Sequence, residues 1–383
     1  MGDFTSTAAS WLQTLVVSSA ALAVGLLGIL YVYQEKLLYF PSMPGVSKLT
    51  TENPEGTASI IPNALDLSLV MHDDAGYRHP NEYGIDYEDV FIPCADGIKI
   101  HAWLMKQPQP TTVPTIVFFH GNAGNIGYRL PNAAKMYRHL ECNILLVDYR
   151  GFGMSDGEPT ERGLQLDAEG VVDYLHSRGA SSVVDPSKLI VFGRSLGGAV
   201  AVYVASTRPT QVAGLIVENT FLSISAMVDQ VMPWLSYVKP VVLRLDWSNE
   251  GRIPTLTHPI LFVAGERDEL VPHTHMQKLH ALATKSVRRQ WLPIPRGTHN
   301  DSWMRGGLDY FFALKRFIDS AVGESTPPSS DTANTSERHQ EDGASIVSSD
   351  EADDGLDHSH IPNMLDQHSL LFQRPVKIHH DEM

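Results

Sequence analysis

The sequence predicts an α/β domain: a mostly parallel sheet covered by helices on both faces and opened by an antiparallel hairpin. Three observations carry that expectation. Short apolar runs recur at 115–119, 144–147, 189–192, 215–217 and 259–264, with 291–294 as a last one. Between them lie amphipathic stretches; in 161–177, Leu164, Ala168, Val171, Val172 and Leu175 fall at three-to-four spacing, the period of one helix face. Strands buried on both faces read as continuous apolar runs, so this alternation describes helices packed above and below a parallel sheet. Ahead of it, 86–93 and 98–106 flank Ala95-Asp96-Gly97, a turn signal that joins two strands as a hairpin.

The 383 residues exceed one average domain, and 43% of them are apolar, enough for a large packed core. The net charge of −15 is unevenly spread. Residues 323–383 hold 13 acidic and 3 basic side chains, a net of −10, which leaves −5 for the first 322. No basic stripe exists to displace counterions from phosphates, so no nucleic-acid partner is expected. Cys94 and Cys142 sit in or beside strand-like runs and read as two buried thiols, with a single disulfide as the alternative. No metal-ligand spacing is present.

No charged side chain lies between Asp3 and Glu35. Residues 12–32 form a 21-residue apolar stretch, about 30 Å as a helix, which matches the hydrocarbon core of a bilayer. A cleaved signal peptide would carry a basic start and a shorter apolar core. The expectation is therefore a retained single-pass anchor, in the endoplasmic reticulum or another endomembrane, with Trp11, Tyr31 and Tyr33 near its ends. Orientation stays open. Lys36 and Lys48 favour a cytosolic C-terminal portion, Gly2 with Ser6 fits N-myristoylation of a cytosolic N-terminus, and Asn334-Thr335-Ser336 is a glycosylation sequon. The predicted organisation is an anchor at 1–34, a connector at 35–84, a catalytic domain at 85–322 and an acidic disordered tail at 323–383.

Two G-x-S-x-G matches occur, centred on Ser155 and Ser195. A nucleophile elbow needs a buried strand, a tight turn between small residues, and a helix that starts at once. Only Ser195 has that context: 189–192 is the strand, Gly193 and Gly197 flank the turn, and Gly198 to Ala205 open a helix. Ser155 lies in a glycine-rich stretch followed by Glu158-Pro159 and reads as a loop residue. A serine hydroxyl needs a base and an orienting acid, which in this arrangement follow the serine in the order acid, histidine. Asp268 leaves the strand at 259–264, with Glu266 and Glu269 as neighbouring alternatives. His299 follows the last strand behind a glycine and precedes a helix predicted over 302–317. The oxyanion would be held by the backbone N–H groups of Leu196 and Asn122, with Ala123 as the second choice, in the loop His120-Gly121-Asn122-Ala123-Gly124-Asn125. Residues 223–253 interrupt the alternation and are rich in Met227, Met232, Trp234, Leu235 and Trp247. They read either as a cap that lines an apolar acyl pocket or as ordinary helix packing.

Gln34 to Pro41 after an apolar anchor, His120 to Asn125, Asp148 to Gly153 and the Gly193–Gly198 elbow together resemble the bud-emergence (Bem-type) subgroup of α/β hydrolases, over roughly residues 10–320. The resemblance implies a single-pass membrane serine hydrolase with Ser195, Asp268 and His299 as its triad; related subgroups include protein depalmitoylases. The expected reaction is hydrolysis of a carboxylic ester or acyl thioester through an acyl-enzyme, with no metal or organic cofactor. A lipid-modified protein near the bilayer is the expected partner. The alternatives are a serine peptidase and a catalytically idle membrane adaptor that uses the fold as a scaffold.

Overall fold

The computed structural model describes residues 2–42, 47–56, 76–177 and 179–323. The expected acidic tail and its Asn334 sequon lie outside the described residues, as does the middle of the connector.

Eight strands form one sheet: β1 (Tyr87–Pro93), β2 (Lys99–Met105), β3 (Thr115–Phe119), β4 (Asn143–Val147), β5 (Leu189–Arg194), β6 (Gly214–Glu218), β7 (Ile260–Gly265) and β8 (Arg289–Ile294), in the order β1-β2-β4-β3-β5-β6-β7-β8. The pairs β1–β2 and β2–β4 are antiparallel, and every pair from β4 to β8 is parallel. The hairpin turn contains Gly97 at φ +85°, a left-handed conformation in which a side chain would be strained. β3 to β7 are buried at every residue, whereas the outer strands β1 and β8 are each buried at a single residue, Ile92 and Ile294. That contrast is what continuous and broken apolar runs describe.

Among the described residues ten α-helices accompany the sheet: α1 (Gly2–Leu38), α2 (Leu130–Leu140), α3 (Glu161–Leu175), α4 (Leu196–Thr207), α5 (Ile224–Val231), α6 (Lys239–Val242), α7 (Asn249–Arg252), α8 (His273–Leu282), α9 (Ser302–Arg305) and α10 (Gly307–Gly323). Because side chains alternate along a strand, each strand feeds two cores. Val117, Phe119, Leu189 and Val191 face α3, α4 and α8, while Ile116, Phe118, Ile190 and Phe192 face α2 and α10. α3 starts where Thr160 accepts a hydrogen bond from the Gly163 N–H, a side-chain N-cap. The single helix expected over 302–317 is two, because Gly307 turns left-handed at φ +52° where α10 begins. Cys94 and Cys142 are buried and free.

α1 contains the apolar run Ser10–Leu38, with mean hydropathy 2.3 in its most apolar window and none of that window buried. The helix runs four residues beyond the anchor expected at 1–34 and meets the domain directly. Gln34 is buried: its Nε2 donates to the Val242 carbonyl at 3.2 Å, and its Oε1 accepts the N–H groups of Arg244 and Leu245 at 2.8 and 3.0 Å. A few residues later Phe40 bridges to Ala123, with its N–H on the Asn122 carbonyl at 2.8 Å and its carbonyl accepting the Gly124 N–H at 3.0 Å.

Phe192 is fully buried, with its ring 4.6 Å from that of Phe118. Phe192→Ala should lower the unfolding free energy by about 3–5 kcal/mol, read from urea denaturation of the solubilised protein.

Candidate active site

The turn from β5 into α4 is built around backbone crowding. Ser195 sits at φ +54° and ψ −122°, outside the ordinary basins for a residue with a side chain, at a cost of order 1–3 kcal/mol. The surroundings leave no alternative. A Cβ on Gly193 would lie 2.0 Å from the Gly197 carbonyl oxygen, one on Gly197 2.0 Å from that of Phe119, and one on Gly198 2.5 Å from the Thr220 Cβ. Ser195 is clamped on both sides of its peptide: its N–H donates to the Glu218 carbonyl at 3.0 Å, and its carbonyl accepts the Thr220 hydroxyl at 2.7 Å.

Asp268 and His299 meet as their chain positions predict. His299 Nδ1 lies 2.8 Å from Asp268 Oδ2, and both side chains are almost wholly buried. The other carboxylate oxygen, Oδ1, accepts the N–H groups of Leu270 and Val271 at 2.9 and 2.8 Å, so the acid cannot swing away without losing two bonds. Neither rival carboxylate takes this place. Glu269 accepts the His299 backbone N–H at 3.2 Å rather than the ring, and Glu266 is exposed.

Asn219 was missed in the sequence. It follows β6 at φ +47° and ties three loops together. Its amide Nδ2 reaches the carbonyls of Thr298 and His299 and the Ser302 hydroxyl, each at 3.0 Å; its Oδ1 accepts the Gly265 N–H at 2.7 Å, and its own N–H donates to Val263 at 3.1 Å. Glu218-Asn219-Thr220 thus holds the Ser195 turn, the His299 loop and the strand leading to Asp268. Its only sequence signal is a polar tripeptide directly after a buried strand. Glu218 itself is buried between Arg194 (2.7 Å) and the Tyr310 hydroxyl (2.6 Å).

The loop after β3 passes beside the elbow: a Cβ on Gly121 would lie 3.8 Å from that of Ser195. Leu196 opens α4, whose first N–H groups have no partner within the helix. Asn122 is held at its side chain, which donates to the Leu38 carbonyl at 2.9 Å, and at its own carbonyl through Phe40. Buried Arg129 donates to the Ala123 carbonyl at 2.5 Å, and Tyr149 donates to that of His120 at 2.8 Å. Ser155 lies elsewhere in the fold's interior: its hydroxyl donates to the Asp148 carbonyl and accepts the His101 N–H, each at 2.8 Å. In the segment 223–253 the two tryptophans part. Trp247 is fully buried and donates to the Tyr39 hydroxyl at 2.8 Å, which is core packing, while Trp234 faces outward.

A strand–elbow–helix turn, an acid after β7 and a histidine after β8 are the frame of an α/β hydrolase, and the comparisons agree. Residues 110–248 match the family described as Hydrolase_4, serine aminopeptidase S33. The α/β-hydrolase domain-containing protein WAV2 of Arabidopsis thaliana is 33% identical over 82% of this chain and 97% of its own length. Protein bem46 of Schizosaccharomyces pombe is 33% identical over 78% and 91%, and the uncharacterised membrane protein YNL320W of Saccharomyces cerevisiae is 36% identical over 62% and 82%. The Pyrococcus furiosus esterase Pf2001 shares the fold, with a TM-score of 0.54 at 18% identity over 64% of this chain and 96% of that one. The chain is a hydrolase of the α/β fold. It belongs to the Bem46–WAV2 family.

His120 anchors the loop from inside. Burial, and then the nearby Arg129 charge, push its pKa from 6.5 down to about 3, so the ring is neutral and its Nδ1–H donates to the Gly121 carbonyl at 2.7 Å. The unfolded chain takes up this proton near pH 6.5 and the folded one only near 3. The contribution to stability is therefore complete above pH 6.5 and is lost as pH falls through that window, by about 1.4 kcal/mol per pH unit. In His120→Gln the slope of unfolding free energy between pH 6 and 4 (both about) should flatten by about one proton, measured by urea denaturation across pH.

Proposed function

We propose that the chain is a membrane-anchored serine hydrolase that cleaves carboxylic esters or acyl thioesters of lipid-modified material, with protein depalmitoylation as the reaction class nearest to that description. The observation that carries the reading is the buried Asp268–His299 pair at 2.8 Å, tied through Asn219 and Glu218 to a strained serine turn. With Asp268 on Nδ1, the imidazole presents Nε2 as the base. Ser195 Oγ adds to the acyl carbon as His299 takes its proton, and the oxyanion is met by the N–H groups of Asn122 and Leu196. Collapse expels the alcohol or thiol, which leaves with that proton. Water then repeats the sequence on the acyl-enzyme, and no metal or organic cofactor enters either step.

The apolar helix α1 supports the membrane assignment, as does the membrane-protein designation of the S. cerevisiae relative. A serine peptidase is the second reading, favoured by the S33 aminopeptidase description of the matching family. Hydrolysis of p-nitrophenyl acyl esters against aminoacyl p-nitroanilides separates the two.

Ser195→Ala should abolish labelling by a fluorophosphonate probe, while Ser155→Ala, if it folds, should label normally; labelling retained by Ser195→Ala would refute the elbow assignment. On a short-chain p-nitrophenyl ester, Ser195→Ala and His299→Ala should each lower turnover by a factor on the order of 10⁴–10⁶, with the double variant scarcely worse than either single one. Asp268→Ala should keep a larger residual rate, and Glu266→Ala and Glu269→Ala should retain activity.

Removal of residues 1–33 should leave a protein that still labels, because Gln34, Leu38 and Phe40 remain to hold the segment at 242–245 and the loop at 122–124. Removal through residue 41 takes away those supports, and the labelling rate should fall. Equal rates for the two truncations would count against a role for this segment in shaping the site.

A further inference from the structure

We propose that the outer surface of residues 233–241 is seated in the interfacial layer of the bilayer crossed by α1, so that the catalytic edge of the domain is turned toward the membrane and Ser195 draws its acyl substrate from the lipid phase. The inference rests on the membrane reading of α1 and adds to it an orientation and a second contact.

The orientation follows from rigidity. Beyond the buried Gln34, Arg244 donates through Nε to the Tyr31 carbonyl at 3.0 Å and holds its guanidinium 5.0 Å from the Tyr31 ring. Leu38 and Phe40 are bonded to the loop at 122–124, which leaves the C-terminal end of β3. No free linker separates helix from domain here, so the axis of α1 fixes how the domain stands on the membrane. The attachment is at the strand ends where Ser195, Asp268 and His299 also lie.

Depth follows from length. The run Ser10–Leu38 has 29 residues, about 43 Å of helix against a hydrocarbon core of about 30 Å. The first charge at the domain end of the run is Glu35, with Lys36 beside it, so the core boundary falls near Tyr31 and Tyr33, and Gln34 to Leu38 pass through the headgroup layer. The Val242 carbonyl and the N–H groups of Arg244 and Leu245, bonded to Gln34, are therefore at headgroup depth. Immediately before them in the chain, Trp234, Tyr237 and Val241 are 69%, 90% and 81% exposed. Two large aromatic rings and a β-branched side chain left open on one nine-residue segment are unfavourable in water. Amphipathic rings of this kind are favoured at the membrane–water interface.

The test places an environment-sensitive fluorophore (NBD) on single introduced cysteines, Trp234→Cys, Tyr237→Cys and, as a control, Val287→Cys. Val287 is exposed just before β8, at the opposite end of that strand from His299. Cys94 and Cys142 are buried, with thiols pushed up to about 12, and stay unlabelled at neutral pH. The full chain is reconstituted in phosphatidylcholine vesicles and checked by flotation. Probes at 234 and 237 should be quenched by lipids spin-labelled at the headgroup or upper acyl chain and be several-fold less sensitive to aqueous iodide than the probe at 287. A chain that floats but whose probes at 234 and 237 match the control overturns this inference alone. Probes shielded from iodide but untouched by lipid quenchers also overturn it, since a protein surface then covers the patch. A chain that fails to float overturns the membrane reading together with this one.

Discussion

The amide of Asn219 is the constraint on which the candidate site depends. Three candidate residues spread over separate strand ends need a common reference, and the β6 exit supplies one: Glu218 takes the Ser195 N–H, Thr220 takes the Ser195 carbonyl, and Asn219 spans the Gly265 N–H and the His299 carbonyl. The left-handed backbone of Asn219 and the strained one of Ser195 are neighbours across this junction. Each unfavourable conformation is held by its own set of bonds, Ser195 by Glu218 and Thr220, and Asn219 by Val263, Gly265 and the His299 loop. Relative positions in the site are thus set by two short polar side chains that bind main-chain groups of Ser195, Gly265 and His299.

A second set of bonds joins the site to the N-terminal helix. The loop at 120–125 is fixed from within by neutral His120, Tyr149 and Arg129, and from outside by Leu38 and Phe40. A segment with the composition of a membrane anchor therefore ends as part of the wall of the site. Trp247 and Tyr39, both buried, extend this wall into the larger core.

Much of the fold was legible because its strands are short and buried on both faces, which leaves unbroken apolar runs that little else produces. The elbow at Ser195 was legible for a similar reason: at Gly193, Gly197 and Gly198 a Cβ would strike a neighbour, so the spacing of the glycines records the turn. The pairing of His299 with Asp268 could be read from their places after the last two strands, though only the structure separates Asp268 from Glu266 and Glu269. Other features left no local trace. Asn219 looks like any loop asparagine, and Phe40 pairs with Ala123 across more than eighty residues of chain. Trp234 and Trp247 occupy the same apolar stretch, and without a sustained period nothing in the sequence assigned one to the core and the other to the surface. The break between α9 and α10 turns on Gly307 alone, and an isolated glycine in a helical pattern is a weak stop signal.

The two cysteines bear on where such a protein can work. Cys94 lies 3.4 Å from Asp167 and Cys142 lies beside β4; each is packed among apolar side chains and held in the thiol form. Oxidants and disulfide-exchange partners act on exposed thiolate, which neither site presents. Folding does not depend on a cross-link, and no reactive sulfur is offered for one to form. A reducing cytosol and an oxidising lumen would therefore meet the same two buried thiols, with no exposed thiolate on either to act on.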